Sequence, residues 1–279
     1  MLNLFKRHHL NRTVSHSMAK FSFMTVSQRI KPMSLVAFEL AQQSLDVAAD
    51  WLYQQQSATT TYPETSHYVL VDGQANTFQS ALSQSIAIGT VPVVLANCHE
   101  IVLQGLAVLS QDNSNIGIVH IGHQFELKPS LDLQLGSAFH FALSRFTHSK
   151  LLCIGIDSEQ ISAQTLEYAE DLGCDWISHQ ECGFLNRTQL KDQLSSYIER
   201  SEQLMVNIDL ASLVAGHGID MHHVLDNQVI LRLLRQIILS GKVRYIQLVG
   251  AKDKLIYSKQ TKEIVDELIN LAPHLVHVA

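Results

Sequence analysis

The sequence predicts a three-layer α/β fold, in which a mainly parallel sheet of about seven or eight strands lies between helices. Short apolar runs alternate along the chain with segments whose apolar residues recur at helical spacing. Strands that alternate with helices pair in parallel through right-handed crossovers. The chain of 279 residues is long enough for one such domain, with 46% hydrophobic and 16% charged residues. We find no internal repeat and no low-complexity linker, so a single domain is predicted over residues 34–279.

The predicted elements follow each other regularly from residue 35 onward. The first helix is predicted over Leu35 to Gln54, where Ser34 can cap it, and a polar loop with Pro63 follows. The other helices are predicted at Thr77 to Ile88, Glu100 to Ser110, Ala138 to Phe146, Ala163 to Leu172, Arg187 to Arg200, Gln228 to Ser240 and Lys259 to Leu271. The strands are predicted at Tyr68 to Val71, Val91 to Leu95, Ile116 to Ile121, Leu151 to Ile154, Trp176 to Ile177, Leu204 to Ile208 and Val243 to Leu248. Ser162 can cap the helix that Gly173 ends, and Gly241 ends another.

Residues 1–33 differ in charge from the rest of the chain. No acidic residue precedes Glu39, whereas Lys and Arg occur repeatedly before it. A targeting segment or a basic arm is one interpretation. A frayed or surface-bound terminus is the other, and we favour it because no secretory apolar core or cleavage site is evident. Residues 1–33 are therefore predicted to be a basic N-terminal segment that is poorly ordered or lies on the surface.

The net charge, the lack of long apolar runs and the cysteine pattern limit which classes of partner and which cellular compartment are expected. A net charge of −6 argues against nucleic acid as a partner, because phosphate binding needs a basic face. No apolar run approaches the ~18 residues of a membrane span. Cys98, Cys153, Cys174 and Cys182 form no Cys-x-x-Cys pair, and buried thiols in a reducing cytoplasm explain them. We expect a cytoplasmic protein without nucleic-acid or membrane partners.

Polar residues that could form a site follow the predicted strand Ile116 to Ile121. The apolar run stops at Gly122, and His123, Gln124 and Glu126 come next. Ligands bind beyond the carboxyl ends of strands in open parallel sheets. Any chemistry is therefore predicted at this edge of the sheet.

This stretch and three others resemble the ureohydrolases, the family of arginase, agmatinase and formimidoylglutamase. Where that family has Asp-Ala-His-x-Asp after a strand, this chain has Gly122, His123, Gln124, Phe125 and Glu126. The other three stretches are Val93 to Ile101 with His99, Met205 to Ala211 with Asp209, and Gln247 to Asp253. The His-Glu pair at residues 99 and 100 points to the formimidoylglutamase branch.

The resemblance implies an arginase-like fold and two manganese sites, of which most ligands are replaced. One site would keep His99, Glu126 and Asp209, a set that suits manganese, iron or zinc. At the other site Gly122 and Ala211 offer no side-chain donor, and Gln124 replaces a histidine. The metal-bridging hydroxide of dinuclear hydrolases could not form in the family's way. We expect either no metal or a single divalent ion.

The retained residues also have simpler interpretations. His99 could form a hydrogen bond inside a covered cleft, Glu126 could be a solvated loop carboxylate, and Asp209 could accept from backbone N–H groups. His120 lies inside a strand, which favours a packed, hydrogen-bonded core histidine. His123 has the wrong alternation to replace Gln124 as a ligand. The remaining cluster could bind a metal but is favoured as ordinary loop histidines: His217, His222 and His223.

Three functional hypotheses follow. The first is a non-catalytic homologue that keeps a pocket for a small ligand or an interaction role. The second is a single-metal hydrolase of linear C–N bonds, such as those of a formimidoyl, amidine or amide compound. It would use His99, Glu126 and Asp209, with Gln124 or His140 assisting. The third is a structural subunit beside an active paralogue. Gln247, at the position of a family glutamate, favours a neutral ligand group. The expected pocket residues are Gly122, Gln124, His140, Ala211 and Gln247. The resemblance also implies a homo-oligomer, a trimer or a hexamer.

Overall fold

The computed structural model describes residues 21–56, 65–71, 75–216 and 224–272, in which eight strands form one sheet. The strand order is β2-β1-β3-β8-β7-β4-β5-β6, and every neighbouring pair is parallel. The strands are β1 (Phe21–Gln28), β2 (Ser66–Leu70), β3 (Val91–Ala96), β4 (Ile116–Ile121), β5 (Ser149–Ile156), β6 (Asp175–Ser178), β7 (Gln203–Asp209) and β8 (Val243–Val249).

Helices cover both faces of this sheet and complete the three predicted layers. The α-helices of the described residues are α1 (Leu35–Gln56), α2 (Ala75–Ala87), α3 (Val102–Leu109), α4 (Ala138–Arg145), α5 (Ala163–Asp171), α6 (Arg187–Glu199), α7 (Asn227–Leu239), α8 (Asp253–Ile256) and α9 (Lys259–Leu271). Helices α2 to α5 pack on one face, and α1 with α6 to α9 pack on the other. The predicted α/β fold with a parallel sheet is confirmed.

The local sequence explains these elements. All six residues of β3 and of β4 are buried, as expected for parallel strands that helices cover on both faces. The side chain of Ser162 accepts from the backbone N–H of Thr165 at the start of α5, and Gly173 follows that helix with φ of 68°. Ser34 accepts from the N–H of Ala37 in the same way at α1. These predicted caps are confirmed.

The position of strand β1 shows that the domain begins before residue 34, the predicted boundary. Residues 21–28 pair with β2 on one side and β3 on the other, so they belong to the sheet rather than to a surface segment. Phe23 and Val26 are buried on opposite faces of the sheet, which gives this strand the burial of an interior strand. Residues 1–20 lie outside the described residues, so the prediction of a basic segment there stays a prediction.

The cysteines, the length of the helices and the histidine loop were also subjects of prediction. All four cysteines are free and buried, and burial raises the pKa of Cys174 and of Cys182 to about 12. No helix in the described part of the chain is long and apolar enough to cross a membrane. The histidine loop of His217, His222 and His223 lies outside the described residues.

Candidate functional site

Three polar side chains lie side by side across the centre of the sheet. His120 of β4 is in register with Asn207 of β7, and Asn207 is in register with Gln247 of β8. Register neighbours on parallel strands share a face and lie about 4.8 Å apart. Asn207 and Gln247 have no solvent exposure, and His120 has 1%. We call His120, Asn207 and Gln247 the polar row.

The direction of the hydrogen bonds in the polar row follows from two backbone carbonyl groups. The carbonyl oxygens of Cys98 and His99 accept from Nε2 of Gln247, at 3.3 and 3.2 Å. A carbonyl oxygen only accepts, so this end of the Gln247 amide is its NH₂ group. Nε2 of Gln247 also donates to Oδ1 of Asn207 at 3.0 Å. Oε1 of Gln247 accepts from the hydroxyl of Tyr245 at 2.8 Å.

Asn207 therefore presents its NH₂ group to two imidazole rings. Nδ2 of Asn207 lies 2.9 Å from Nδ1 of His99 and 2.8 Å from Nδ1 of His120. Because both Nδ1 atoms accept, each neutral ring carries its proton on Nε2. Nε2 of His120 donates to the carbonyl oxygen of Gln124 at 2.8 Å. Burial, with a smaller effect from the nearby His99, lowers the pKa of His120 to about 3, so this ring is neutral.

The ring of His120 occupies space beside Gly122. A Cβ atom built on Gly122 would lie 2.8 Å from Nε2 and 2.9 Å from Cε1 of His120. It would also lie 3.3 Å from Cβ of Asp209. The resemblance places a metal-bridging aspartate at residue 122, and that side chain could not coexist with His120 in this position. The predicted role of His120 as a packed, hydrogen-bonded core histidine is confirmed.

His99 and Glu126 form the open end of this arrangement. Nε2 of His99 lies 4.0 Å from Oε1 of Glu126, and the two side chains are 12% and 18% exposed. Glu126 has φ of 52°, a left-handed conformation that turns the chain directly after β4. These two of the three retained metal-ligand candidates are therefore neighbours.

Asp209, the third candidate, binds its own turn. Oδ1 of Asp209 accepts from the N–H of Ala211 at 3.0 Å, and Oδ2 accepts from the hydroxyl of Ser212 at 2.8 Å. Asp209 thereby caps residues 210–213, as its simpler interpretation expects. The N–H of His123 also donates to Oγ of Ser212, at 3.2 Å, and joins this turn to the end of β4.

Glu100 is a residue for which sequence reasoning assigned no structural role. Oε1 of Glu100 accepts from the N–H groups of Gly136 and Ser137, at 2.8 and 3.2 Å, just before α4 begins. Burial raises the pKa of this carboxyl group, although the amide donors and His99 oppose the rise. Glu100 thus connects the turn after β3 to the loop before α4, which carries His140. Its apolar neighbours in the sequence were the signal of burial.

A pocket of about 540 Å³ opens beside Glu126. It lies between α5 and residues 124–129, and its lining includes the expected residue Gln124. The side chains that line it with charges are Glu126, Lys128, Glu167 and Asp171. Tyr168 also lines the pocket, and its hydroxyl lies 2.6 Å from Nδ1 of His140, whose Nε2 donates to the carbonyl of Ser130. His140 therefore supports the pocket through Tyr168.

The other expected pocket residues lie elsewhere. Gln247 is fully buried in the polar row, so its amide cannot contact a ligand and the expected preference for a neutral group loses its basis. Gly122 is buried beneath His120, and Ala211 lies in the turn that Asp209 caps. Neither is among the residues that line the pocket.

Similarity to known proteins was found in sequence and in structure. No protein-family model matches the chain. A formimidoylglutamase of Chromobacterium violaceum is 24% identical over 185 residues, which are 60% of this chain and 58% of that protein. A formimidoylglutamase of Psychrobacter cryohalolentis is 24% identical over 196 residues, which are 63% of this chain and 56% of that protein. The match thus spans little more than half the length of these relatives.

Solved structures of the same group share the whole fold. The formimidoylglutamase of Bacillus subtilis has a TM-score of 0.64 at 13% identity, with 99% of this chain and 96% of that chain covered. The arginase of Bacillus caldovelox has a TM-score of 0.65 at 13% identity, with 92% and 98% covered. The predicted arginase-like fold is confirmed. The chain is a ureohydrolase homologue.

The side chains of this ureohydrolase homologue do not fit the family's pair of manganese ions. Among the described residues, no three His, Cys, Asp or Glu side chains form a group that could hold a metal ion. Nδ1 of His99 accepts a hydrogen bond from the NH₂ group of Asn207, and both carboxylate oxygens of Asp209 accept hydrogen bonds from their own turn. The side chains of Gly122 and Ala211 have no metal-donor atom. The sequence therefore indicated the right edge of the sheet, whereas the interior there is a hydrogen-bonded protein core.

Proposed function

We propose that this ureohydrolase homologue is a non-catalytic protein that binds a small polar ligand. One observation carries the proposal: the amide of Asn207 donates to Nδ1 of both His99 and His120. A nitrogen that accepts a hydrogen bond has no free lone pair for a metal ion, and a neutral ring with an accepting Nδ1 has a proton on Nε2. Both imidazole rings therefore use their Nδ1 lone pair in a hydrogen bond with Asn207 and not in binding a metal ion.

The position of His120 supports the same conclusion. Its ring excludes a side chain at residue 122, where the resemblance places the ligand shared by both metals. A dinuclear hydrolase makes its nucleophile from water that two metal ions activate together. Without that shared ligand, and with Ala211 in place of another, the residues that the structure describes include no group of metal-binding side chains that could replace this activation. Hydrolysis by the family's mechanism is therefore not expected.

The pocket beside α5 supports the binding role. Glu126, Glu167 and Asp171 give it three carboxylates against the single ammonium of Lys128. The hydroxyl of Tyr168 donates to His140, which leaves the phenolic oxygen as an acceptor for a ligand donor. This balance of charge favours a small ligand with a positively charged amino group. A volume of about 540 Å³ is within the usual range of small-molecule sites.

The metal content of the purified protein tests the non-catalytic part. The protein is purified from cells grown with added manganese, zinc and iron, beside a His99→Ala control, and both are analysed by elemental mass spectrometry. We expect background metal in both proteins and no hydrolysis of formimidoylglutamate. About one metal per chain in the wild type, absent from the control, would contradict the proposal.

Thermal-shift titrations test the binding part. Putrescine serves as the cationic probe and glutarate as the anionic one. We expect putrescine to raise the melting temperature and glutarate to have no effect. A Glu167→Gln, Asp171→Asn variant should lose the response. Glu170→Gln is the matched control, because Glu170 lies on the same helix but does not line the pocket. A response that both variants retain would reject this pocket as the site.

A single-metal hydrolase is the second candidate. The observation that favours it is the pair of His99 and Glu126, whose nearest N and O atoms are 4.0 Å apart at the partly exposed end of the site. It requires His99 to release its bond with Asn207 or its Nε2 proton, and Asp209 to join the pair. The metal analysis above separates the two candidates.

A further inference from the structure

An apolar groove with a basic rim lies between α6 and α7, on the sheet face away from the small-ligand pocket. It has a volume of about 760 Å³, and its floor includes Leu190, Ile198, Val229 and Leu233. Leu239 lines it with more than half of its side chain exposed. Exposed apolar surface of this kind typically marks an interaction site. We call this the α6/α7 groove.

Positive charge dominates the rim of the α6/α7 groove. Four cationic side chains line it against the single carboxylate of Glu199: Arg187, Lys191, Arg232 and Arg235. Of these four, within the described part of the chain, only Arg235 forms an ion pair, with Glu267 at 2.7 Å. Arg187 and Arg232 both lie over the ring of Phe184, which is 53% exposed beside the groove. A partner for this surface should be apolar and acidic.

Helix α1 presents a surface of that composition. Val36, Leu40 and Val47 recur at spacings of four and seven residues, so they lie on one side of the helix, and their side chains are 65%, 61% and 57% exposed. The charged residues of α1 are Glu39, Asp46 and Asp50, and the helix contains no Lys, Arg or His. We call Val36, Leu40 and Val47 with these three acids the α1 stripe.

We propose that the α1 stripe of one copy of this chain docks into the α6/α7 groove of a second copy. The two surfaces complement each other in charge and in apolar character, as in other helix-in-groove contacts. Val36 to Val47 span ~17 Å of helix, and the 13 residues of α6 span ~20 Å, so the lengths also match. Because the two surfaces differ, the contact is head-to-tail, and each copy can offer a groove to one neighbour and a stripe to another. This inference is independent of the proposed ligand.

Charge reversal on each surface tests the contact. One variant reverses the groove (Arg187→Glu with Arg232→Glu), a second reverses the stripe (Glu39→Lys with Asp46→Lys), and a third combines all four changes. Arg145→Glu with Glu170→Lys is the matched control, since α4 and α5 lie on the opposite face of the sheet. Molar mass is measured by light scattering and sedimentation over a range of concentrations, and circular dichroism verifies folding.

Like charges would face each other in either single-surface variant, and we expect roughly 100-fold weaker self-association. The variant with all four substitutions has a negative groove and a positive stripe, so its self-association should return. The control should associate as the wild type does. A monomeric wild type, unchanged association in both single-surface variants, or a variant with all four substitutions that stays dissociated would each overturn the proposal. The last result would mean that the two surfaces have other occupants.

Discussion

The imidazole of His120 lies where a side chain at residue 122 would have to be. Only the absence of a Cβ atom at Gly122 permits this, since that atom would be 2.8 Å from Nε2 of the ring. A side chain at residue 122 and the inward position of the His120 ring therefore exclude each other. A ligand atom cannot be restored at residue 122 without moving His120.

Gly122→Ala tests this relationship. We expect a loss of about 1–3 kcal/mol in the free energy of unfolding, because the added methyl group overpacks a buried site. In a Gly122→Ala, His120→Ala double variant the added methyl group should cost less, which gives a favourable coupling in a double-mutant cycle. Urea denaturation measures both. Gly183→Ala is the control: its added Cβ atom has its nearest neighbour at 3.7 Å, and its φ of −68° suits alanine. Simple additivity of the two changes would contradict the packing argument.

Asn207 should fix the tautomers of both histidines. Because Asn207 donates to Nδ1 of His99 and of His120, histidine ring ¹⁵N NMR at neutral pH should show both rings protonated at Nε2 alone. In Asn207→Asp the carboxylate only accepts, so at least one ring should gain a proton at Nδ1. A wild-type spectrum with Nδ1 protonated in both rings would refute the assigned direction of these hydrogen bonds.

Removing the amide should also destabilise the protein. Asn207→Leu leaves the Nδ1 atoms of His99 and His120 and the NH₂ group of Gln247 without this partner. We expect a loss of about 1–3 kcal/mol for each buried group that stays unsatisfied. Asn186→Ala is the matched control, because its side-chain bond to the carbonyl of Gln180 is exposed, and it should cost much less. Similar losses in the two variants, measured by urea denaturation, would show that the polar row contributes little.

The sequence predicted the layers well because each strand and helix is a local pattern. It missed β1, whose Ser22, Thr25 and Ser27 interrupt the apolar run and follow a basic segment. It also identified His120 as a core residue from its position inside a strand. It assigned no role to Asn207, because β4, β7 and β8 are neighbours in the sheet but not in the chain. Asn207 is 87 residues from His120 and 40 from Gln247.

The low pKa of His120 makes stability depend on pH. The folded ring titrates at about 3 and an unfolded histidine at 6.5, so protons bind more tightly to the unfolded chain between these values. The free energy of unfolding should therefore rise with pH across this window, and fall by about 1.4 kcal/mol per unit as the pH drops from 6.5 toward 3. Above pH 6.5 this contribution is constant.

A His120→Asn variant separates the pH dependence due to His120 from that due to other titrating groups. Burial also lowers the pKa of His67, which adds a dependence of the same sign to both proteins. The difference in unfolding free energy between wild type and variant, measured by urea denaturation from pH 7 to pH 5, isolates His120. We expect the wild type to lose ~2 kcal/mol more than the variant over that range. Parallel curves would show that the folded ring titrates like an unfolded histidine, and a wild type that gains stability relative to the variant as the pH falls would show that the folded ring is protonated.

Metal ions should not contribute to the stability of this chain. A ligand that binds only the folded state stabilises it by about 2.7 kcal/mol at a concentration 100 times its dissociation constant. With Asn207 bonded to Nδ1 of His99 and the carboxylate of Asp209 bonded to its own turn, no such gain is expected from manganese. Thermal melts with EDTA and with millimolar manganese chloride should coincide with melts in buffer alone.

A designed variant with restored metal ligands serves as the positive control for the manganese melts. Restoring the donors that the resemblance assigns, with Gly122→Asp, Gln124→His, Ala211→Asp and the accompanying His120→Asn, removes the ring from the space needed at residue 122. Manganese should raise the melting temperature of this variant and leave the wild type unchanged. The other three changes without His120→Asn should give a weaker response, because the imidazole still opposes a side chain at residue 122. A manganese-dependent rise in the melting temperature of the wild type would contradict this prediction, since it would require a metal site among residues whose side chains are already hydrogen-bonded within the protein.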